Sequence, residues 1–388
     1  MHKLMAGGTI LEHELSDLRL LVERQAGILL DCPNSALAAH VAEYLESQEL
    51  QSVAAVLERL RSPDQDPACL PHFLDGVLNI ETGFFRHPGA MTALTKQVLP
   101  QLLARKSPES PATLRMWSAG CSTGEETYSI AMATCTALSG NTTGNTNGMV
   151  PANGAVLAAT TANGSANASG SAKNNSNRNG GVAESTSSAP GQFLPASAGT
   201  LQPGRELSIH IVGSDLLPSS IAVAERGLYP HSALTGLPPA AIRASFSKVG
   251  CGNGSPNPSQ KNAEILDGKP EPLNGSFHGL PKTSANGSHL LVKPRVRSLV
   301  TFNTMNLIKP VYIGRFDCIF CMDVLPHLSR VQRTALLERL HLYLEPGGYL
   351  FLSQTEKLSA PNLNFRSETF DGYTFHRKPL AASAAYGR

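Results

Sequence analysis

The apolar positions of this chain follow two periods, and the change between them divides it. From about residue 15 to residue 80 they recur at helical spacing. Leu18, Leu21 and Val22 mark one stripe, and Leu37, Val41, Tyr44 and Leu45 a second. Val53, Val56, Leu57 and Leu60 mark a third, and Phe73, Leu74, Val77 and Leu78 a fourth. Residues three and four apart share one face of an α-helix, so four short helices around a common core are expected. Ser16 is the candidate N-cap of the first helix, Gly27 its stop, and Ser62-Pro63 the stop of the third. Beyond residue 80 the pattern becomes short apolar runs separated by turns and helical stretches. Strands are expected at 114–118, 208–213, 299–303, 316–321 and 348–353, with a helix over 329–344. Pro346-Gly347-Gly348 reads as the turn between that helix and the last of these strands, and 372–378 as a closing strand. Alternating strands and helices specify an α/β fold, a doubly wound sheet.

Two stretches interrupt the frame. Residues 139–204 consist mostly of Asn, Gly, Ser, Thr and Ala, and 250–287 are similar with more Pro and Lys. Such segments bury too little apolar surface to offset the entropy of ordering. They are expected to be low-complexity insertions on the surface of one domain spanning 81–378, preceded by a helical domain at 15–80. Residues 1–14 and 379–388 are expected to be flexible ends. Without the first insertion, about twenty-odd residues separate Gly124 from Asp215, near the spacing a dinucleotide-type fold uses.

Charge and cysteine content narrow the function classes. The 388 residues carry 32 Lys and Arg against 30 Asp and Glu, so nothing in the balance points to nucleic acid or an anionic membrane. No apolar run reaches the length of a membrane span, and the N-terminus lacks the apolar core of a secretory signal. Seven scattered cysteines suit reduced thiols and a cytoplasmic location. Cys318 and Cys321 form a C-x-x-C, but strand alternation sends them to opposite faces, as core residues rather than a redox pair.

The richest stretch runs from Leu114 to Ser129, an apolar strand, a glycine turn and a helix expected to begin near Ser122. Gly120 and Gly124 permit a sharp turn and close approach of a ligand. There is no phosphate-binding lysine and no G-x-G-x-x-G, which argues against triphosphates and dinucleotides. Glu125 and Glu126 in the first helical turn would repel a pyrophosphate, yet suit hydroxyls or a cation. The second strand ends in Ser214-Asp215, and an acidic residue there can accept both hydroxyls of a ribose. A nucleoside with a cationic centre and no phosphate is S-adenosylmethionine.

Trp117–Ser129 and Glu81-Thr-Gly-Phe-Phe-Arg86 closely resemble the chemotaxis receptor protein-glutamate O-methyltransferases, the CheR family. So do Gly213-Ser-Asp215 with Ala224–Tyr229, Val300–Leu307, Phe316–Leu325 and Leu344–Leu352. The resemblance covers roughly 15–137, 205–249 and 288–378. It implies an α/β, doubly wound, Rossmann-like S-adenosylmethionine-dependent methyltransferase domain behind a small all-helical domain. The implied reaction makes glutamate methyl esters on the cytoplasmic domain of a chemosensory receptor, without nucleic acid and without membrane insertion. The implied cofactor residues are Thr82, Arg86, Gly120, Glu126, Asp215, Asn306, Leu307, Asp323 and Val324. Asn306 and Leu307 match positions that hold the adenine. Arg86 is the first choice for the incoming carboxylate, with the methionyl carboxylate of the cofactor as its alternative. A carboxylate acceptor is ionised near neutral pH and needs alignment and dryness rather than a strong base. Phe84 and Phe85 read as core.

Two departures stand out. Where the family carries Arg-Asn-Val and then a tyrosine, this chain reads Met322-Asp323-Val324-Leu325-Pro326-His327. Asp323 adds a negative charge, and His327 takes the tyrosine's place as a catalytic candidate. These features suggest a second reading, a cofactor-binding but catalytically degenerate regulatory or scaffold protein. A small carboxylic acid as acceptor is a third, disfavoured by the helical domain. The second departure is the helix within Asp31–Leu50, which carries Asp31, Glu43, Glu46 and Glu49 and no Lys or Arg. The family's helix there is basic and faces a glutamate-rich receptor.

Overall fold

The computed structural model describes residues 10–62, 68–78, 81–106, 112–140, 156–157, 207–249, 289–309, 313–358 and 362–380. Most of 139–204, all of 250–287, and most of both ends lie outside them, and with them the expectation of low-complexity loops and flexible ends.

Four helices form the first unit: α1 Glu12–Ala26, α2 Asn34–Ser47, α3 Val53–Arg61 and α4 Cys69–Asp75. Their predicted stripes are its core. Leu18, Val22, Leu37, Val41, Val56, Phe73 and Leu74 are fully buried. Ser52 caps α3, its Oγ accepting from Ala55 N at 3.3 Å, and Gly27 closes α1 in the left-handed conformation. Ser16 is not a cap. Helix α1 starts a turn earlier, where Glu14 accepts from Leu11 N at 2.9 Å. Val77 and Leu78 follow α4 rather than belonging to it, and they turn toward a cavity described below. Arg19 fastens the α1–α2 connection by donating to the carbonyls of Leu30 and Cys32 and to Asn34 Oδ1.

The second unit follows the doubly wound plan. Helices α5 Pro88–Ala93 and α6 Leu99–Arg105, joined by a π-helical turn at Leu94–Val98, precede β1 Ala112–Ala119 and α7 Glu125–Gly140. Then come β2 Val156–Leu157, β3 Leu207–Asp215, α8 Pro218–Arg226, β4 Leu228–Pro230, α9 Pro239–Ser245, β5 Phe246–Lys248 and β6 His289–Val292. Helix α10 Pro294–Arg297, β7 Val300–Thr304, β8 Phe316–Phe320, α11 Arg330–Tyr343, β9 Leu344–Phe351, β10 Arg366–Phe370 and β11 Tyr373–Arg377 complete the chain. The main sheet runs β7-β3-β1-β8-β9-β11-β10, parallel from β7 to β9 and antiparallel through β11 and β10. Strand β2 pairs antiparallel with the first residues of β3, ahead of β7. A separate small sheet, β4-β6-β5, packs Phe246 and Tyr229 against Phe84, which is the core residue expected.

Strand order reverses at β1: the winding runs outward from β1 through β3 to β7, then returns to the other side of β1 with β8 and β9. That opens a crevice at the carboxyl ends of β1, β3 and β8. Cys318 and Cys321 lie in different apolar clusters and neither is disulfide-bonded. Pro346-Gly347-Gly348 sits inside β9 as a bulge. Phe316 pairs with Leu344, but Cys318 pairs with Tyr349, so the turn residues are looped out without ending the strand. The closing strand is half of a hairpin whose turn, Asp371-Gly372, has positive φ at both residues.

The helical core extends onto Leu217, just past β3, so the two units share apolar surface. Leu18→Ala should therefore cost about 2–5 kcal/mol. Urea denaturation should show one lowered transition for the whole chain rather than early loss of the helical unit alone.

Candidate active site

The crevice deepens into a cavity of ≈580 Å³, within the size range of small-molecule sites. The sheet supplies its floor, and Ile28–Cys32, Val77 and Leu78 of the helical unit supply a wall. The two units are stitched beside it. Ile28 and Leu328 form an antiparallel bridge, Leu29 N donates to the His327 carbonyl at 2.7 Å, and Asn306 Nδ2 donates to the Gln25 carbonyl at 3.1 Å. The nine implied cofactor residues and His327 all line this one cavity, whereas Gly124 and Glu125 lie behind its wall.

The glycine turn is tied to the end of β3. Gly120 N and Cys121 N both donate to the Ser214 carbonyl at 2.8 Å, and Ser122 N donates to Asp215 Oδ2 at 2.9 Å. Asp215 Oδ1 accepts from Leu217 N at 3.0 Å. Gly120, Ser122 and Gly124 have φ of 84°, 51° and 95°, so α7 begins at Glu125 rather than near Ser122. A Cβ on Gly120 would lie 2.5 Å from Val324 Cγ2, and one on Gly124 2.7 Å from Ala224 Cβ. Neither position tolerates a larger residue.

Carboxylates dominate the polar lining. Glu126 accepts from Ser118 Oγ at 2.7 Å. Burial pushes its pKa up to about 7, with Asp323 and Glu356 adding to the rise and Ser118 and Arg86 opposing it. Glu125 is buried behind it and accepts from Thr123 Oγ1 at 2.7 Å and Thr82 Oγ1 at 3.4 Å. Thr82 thus fastens its loop to the start of α7. Burial also raises the carboxyls of Glu125 and Asp215, against hydrogen bonds that favour their ionised forms.

The loop carrying Arg86 faces the loop after β8. The Arg86 guanidinium donates to the Glu81 carbonyl and to Glu81 Oε2 at 3.2 Å, and its Nε lies 3.5 Å from Asp323 Oδ2. His87 Nε2 meets the same Asp323 oxygen at 3.0 Å. Asp323 has a φ of 57°. Its backbone N donates to Glu356 Oε2 at 3.1 Å, and Leu325 N donates to Glu356 Oε1 at 2.8 Å. The His327 side chain is exposed at the rim, and no hydrogen bond or ion pair joins it to Arg86 or Asp323 among the described residues. The Asn306 amide is engaged at both ends, by Gln25 and by Ile308 N at 3.0 Å.

The model of the CheR methyltransferase, SAM binding domain, matches residues 80–145 and 280–373, the segments that carry most of this cavity. Over these segments the chain carries a CheR methyltransferase, SAM binding domain. Among its relatives, chemotaxis protein methyltransferase 1 of Pseudomonas aeruginosa is 24% identical over 88% of this chain and 89% of its own length. Chemotaxis protein methyltransferase Cher2 of Pseudomonas putida is 23% identical over 89% and 90%, and chemotaxis protein methyltransferase 1 of Vibrio cholerae 24% over 92% and 93%.

S-adenosylmethionine is the cofactor of this domain, and the residues present fit it. Ser122 Oγ is buried on the cavity wall without a hydrogen-bond partner among the described residues, a polar atom that a ligand can satisfy. Both Asp215 oxygens keep acceptor capacity for ribose hydroxyls. Met305, Leu307 and Ile308 offer an apolar face for a purine, and Glu126 with Asp323 suits a cationic sulfur. The sequence reading missed His87, Ser118 and Glu356. An acidic residue just past β9, at the carboxyl edge of the sheet, was a visible signal for Glu356; only contact geometry reveals the other two.

Glu126 generates a pH prediction. Its folded pKa is raised, so its contribution to stability is full below the ordinary carboxylate value of 4.5 and is lost as pH rises through about 7. Ligand-free wild type should lose stability relative to Glu126→Gln across that window. Chemical denaturation at a series of pH values measures the gap; a gap constant from pH 4.5 to 7 would contradict the assignment.

Proposed function

We propose that the protein transfers a methyl group from S-adenosylmethionine to glutamate side chains in the cytoplasmic domain of a chemosensory receptor, forming methyl esters, and that it works in the cytoplasm. The observation that carries this reading is the opposition of Arg86, His87 and Asp323 on the wall of the cofactor cavity. The names of the relatives, chemotaxis protein methyltransferases, support it. No helix among the described residues is long and apolar enough to cross a membrane.

When bound, the cofactor supplies an electrophilic methyl group on a sulfonium. The chain's own residues have the tasks of holding, aligning and excluding water. Asp215 holds ribose, and the helical unit closes one side of the cavity. Arg86 is the catalytic residue for the acceptor. Glu81 and Asp323 fix its fork and temper its charge, so it orients an incoming carboxylate without gripping it hard enough to damp its reactivity. The acceptor is already ionised, so no general base is required. His327, exposed at the rim, belongs to the surface that meets a protein acceptor.

The charge of Asp323, the main ground for suspecting a degenerate enzyme, is met by His87 and Arg86 rather than left bare beside the sulfonium. The exposed Glu43, Glu46 and Glu49 along α2 and just beyond it are poorly suited to a glutamate-rich partner. The receptor therefore docks on another face.

Radiolabelled methyl transfer to receptor cytoplasmic domains, with base-labile release marking an ester, tests the reading. Arg86→Ala should cut transfer by about 100-fold, the scale of a lost preorganised donor, and leave S-adenosylhomocysteine affinity within a few-fold. Affinity that falls in step with activity would instead place Arg86 on the methionyl carboxylate. Wild-type protein that forms no ester on any receptor domain would overturn the substrate.

A further inference from the structure

The loops after β8 and β9 meet at one carboxylate. Glu356 Oε2 accepts from Ser353 N at 2.8 Å, within its own loop, and from Asp323 N at 3.1 Å, across to the other. Its Oε1 accepts from Leu325 N at 2.8 Å. Three backbone N–H groups from two loops thus converge on one side chain, which does not itself line the cofactor cavity.

What Glu356 holds is the cavity wall. Asp323 has a left-handed backbone that a residue with a side chain seldom adopts, and its N–H is secured by this carboxylate. That backbone sends the Asp323 carboxylate toward His87 and Arg86. The next residue, Val324, stands against Gly120 at the turn. With the carboxylate removed, three N–H groups lose a charged acceptor and the peptide at Asp323 loses what favours its conformation.

We infer that Glu356 is a positioning residue of the methyltransferase. It fixes the Asp323–Leu325 segment so that Asp323 and Val324 form the sulfonium side of the cofactor cavity. The inference concerns cofactor binding and holds whichever carboxylate accepts the methyl group. An amide is a poor replacement: it presents one acceptor oxygen where two are used, and turns an NH₂ toward backbone donors.

The test uses the full chain and S-adenosylhomocysteine as the probe. Glu356→Gln should weaken its binding by about ten-fold or more in calorimetry, the scale expected when charge-assisted hydrogen bonds are lost. The variant should keep its cooperative melting transition, and amide resonances of the β10–β11 hairpin should not move. A folded Glu356→Gln with wild-type affinity, whatever its melting temperature, overturns the inference and leaves Glu356 a structural tie. Should the variant fail to fold, the wild type decides. On titration with S-adenosylhomocysteine, the Ser353 amide, which is outside the cofactor cavity wall, should shift together with those of Asp323 and Leu325. A Ser353 resonance that stays put while Asp323 shifts overturns the coupling through Glu356.

Discussion

Strands β1 and β3 run in parallel register from Ala112 beside Leu207 to Ala119 beside Ser214. The chain leaves β1 straight into the glycine turn. Two amides of that turn reach the Ser214 carbonyl, and a third reaches the Asp215 side chain. This pairing places the Asp215 carboxylate beside the turn and starts α7 so that Glu126 faces the crevice. A slip of the register by one residue would swap the faces of β3 and move Asp215 away from Ser122. Trp117 guards the register from within, its Nε1 donating to Ser214 Oγ at 2.9 Å.

The second governing feature is charge held in a half-dry space. Glu126, Asp215 and Asp323 line one cavity, with Glu356 behind Asp323 and with the Arg86 guanidinium and His87 Nε2 against the Asp323 carboxylate. Burial raises Glu126 and Asp215, so the ligand-free site holds its carboxylates at a cost that a cationic ligand offsets. The same balance accounts for Asp323. Its carboxylate does not stand bare in the cavity, because a histidine and an arginine share it.

The sheet was legible because its strands are short apolar runs set between helices, and strand edges moved by only a few residues. The helical unit was legible from its stripes. The misses share a cause. Ser16 looks like a cap, but Glu14 reaches Leu11 N first. Pro346-Gly347-Gly348 looks like a turn, but the backbone absorbs it as a bulge because β8 pairs on both sides of it. In each case a nonlocal or competing hydrogen bond outweighed local propensity. The candidate site residues came from the family resemblance, and the implied cofactor set and His327 line one cavity. Their partners were not legible: His87 lies 236 positions from Asp323, and Glu356 lies 33 from it.

The central claim is that the cavity between the helical unit and the carboxyl edge of the sheet holds the cofactor. A crystal structure with S-adenosylhomocysteine tests it most directly. The account predicts ribose hydroxyls on the Asp215 carboxylate, the purine against Met305, Leu307 and Ile308, and the sulfur on the Glu126 and Asp323 side. A ligand bound elsewhere, or one whose ribose does not touch Asp215, would contradict it.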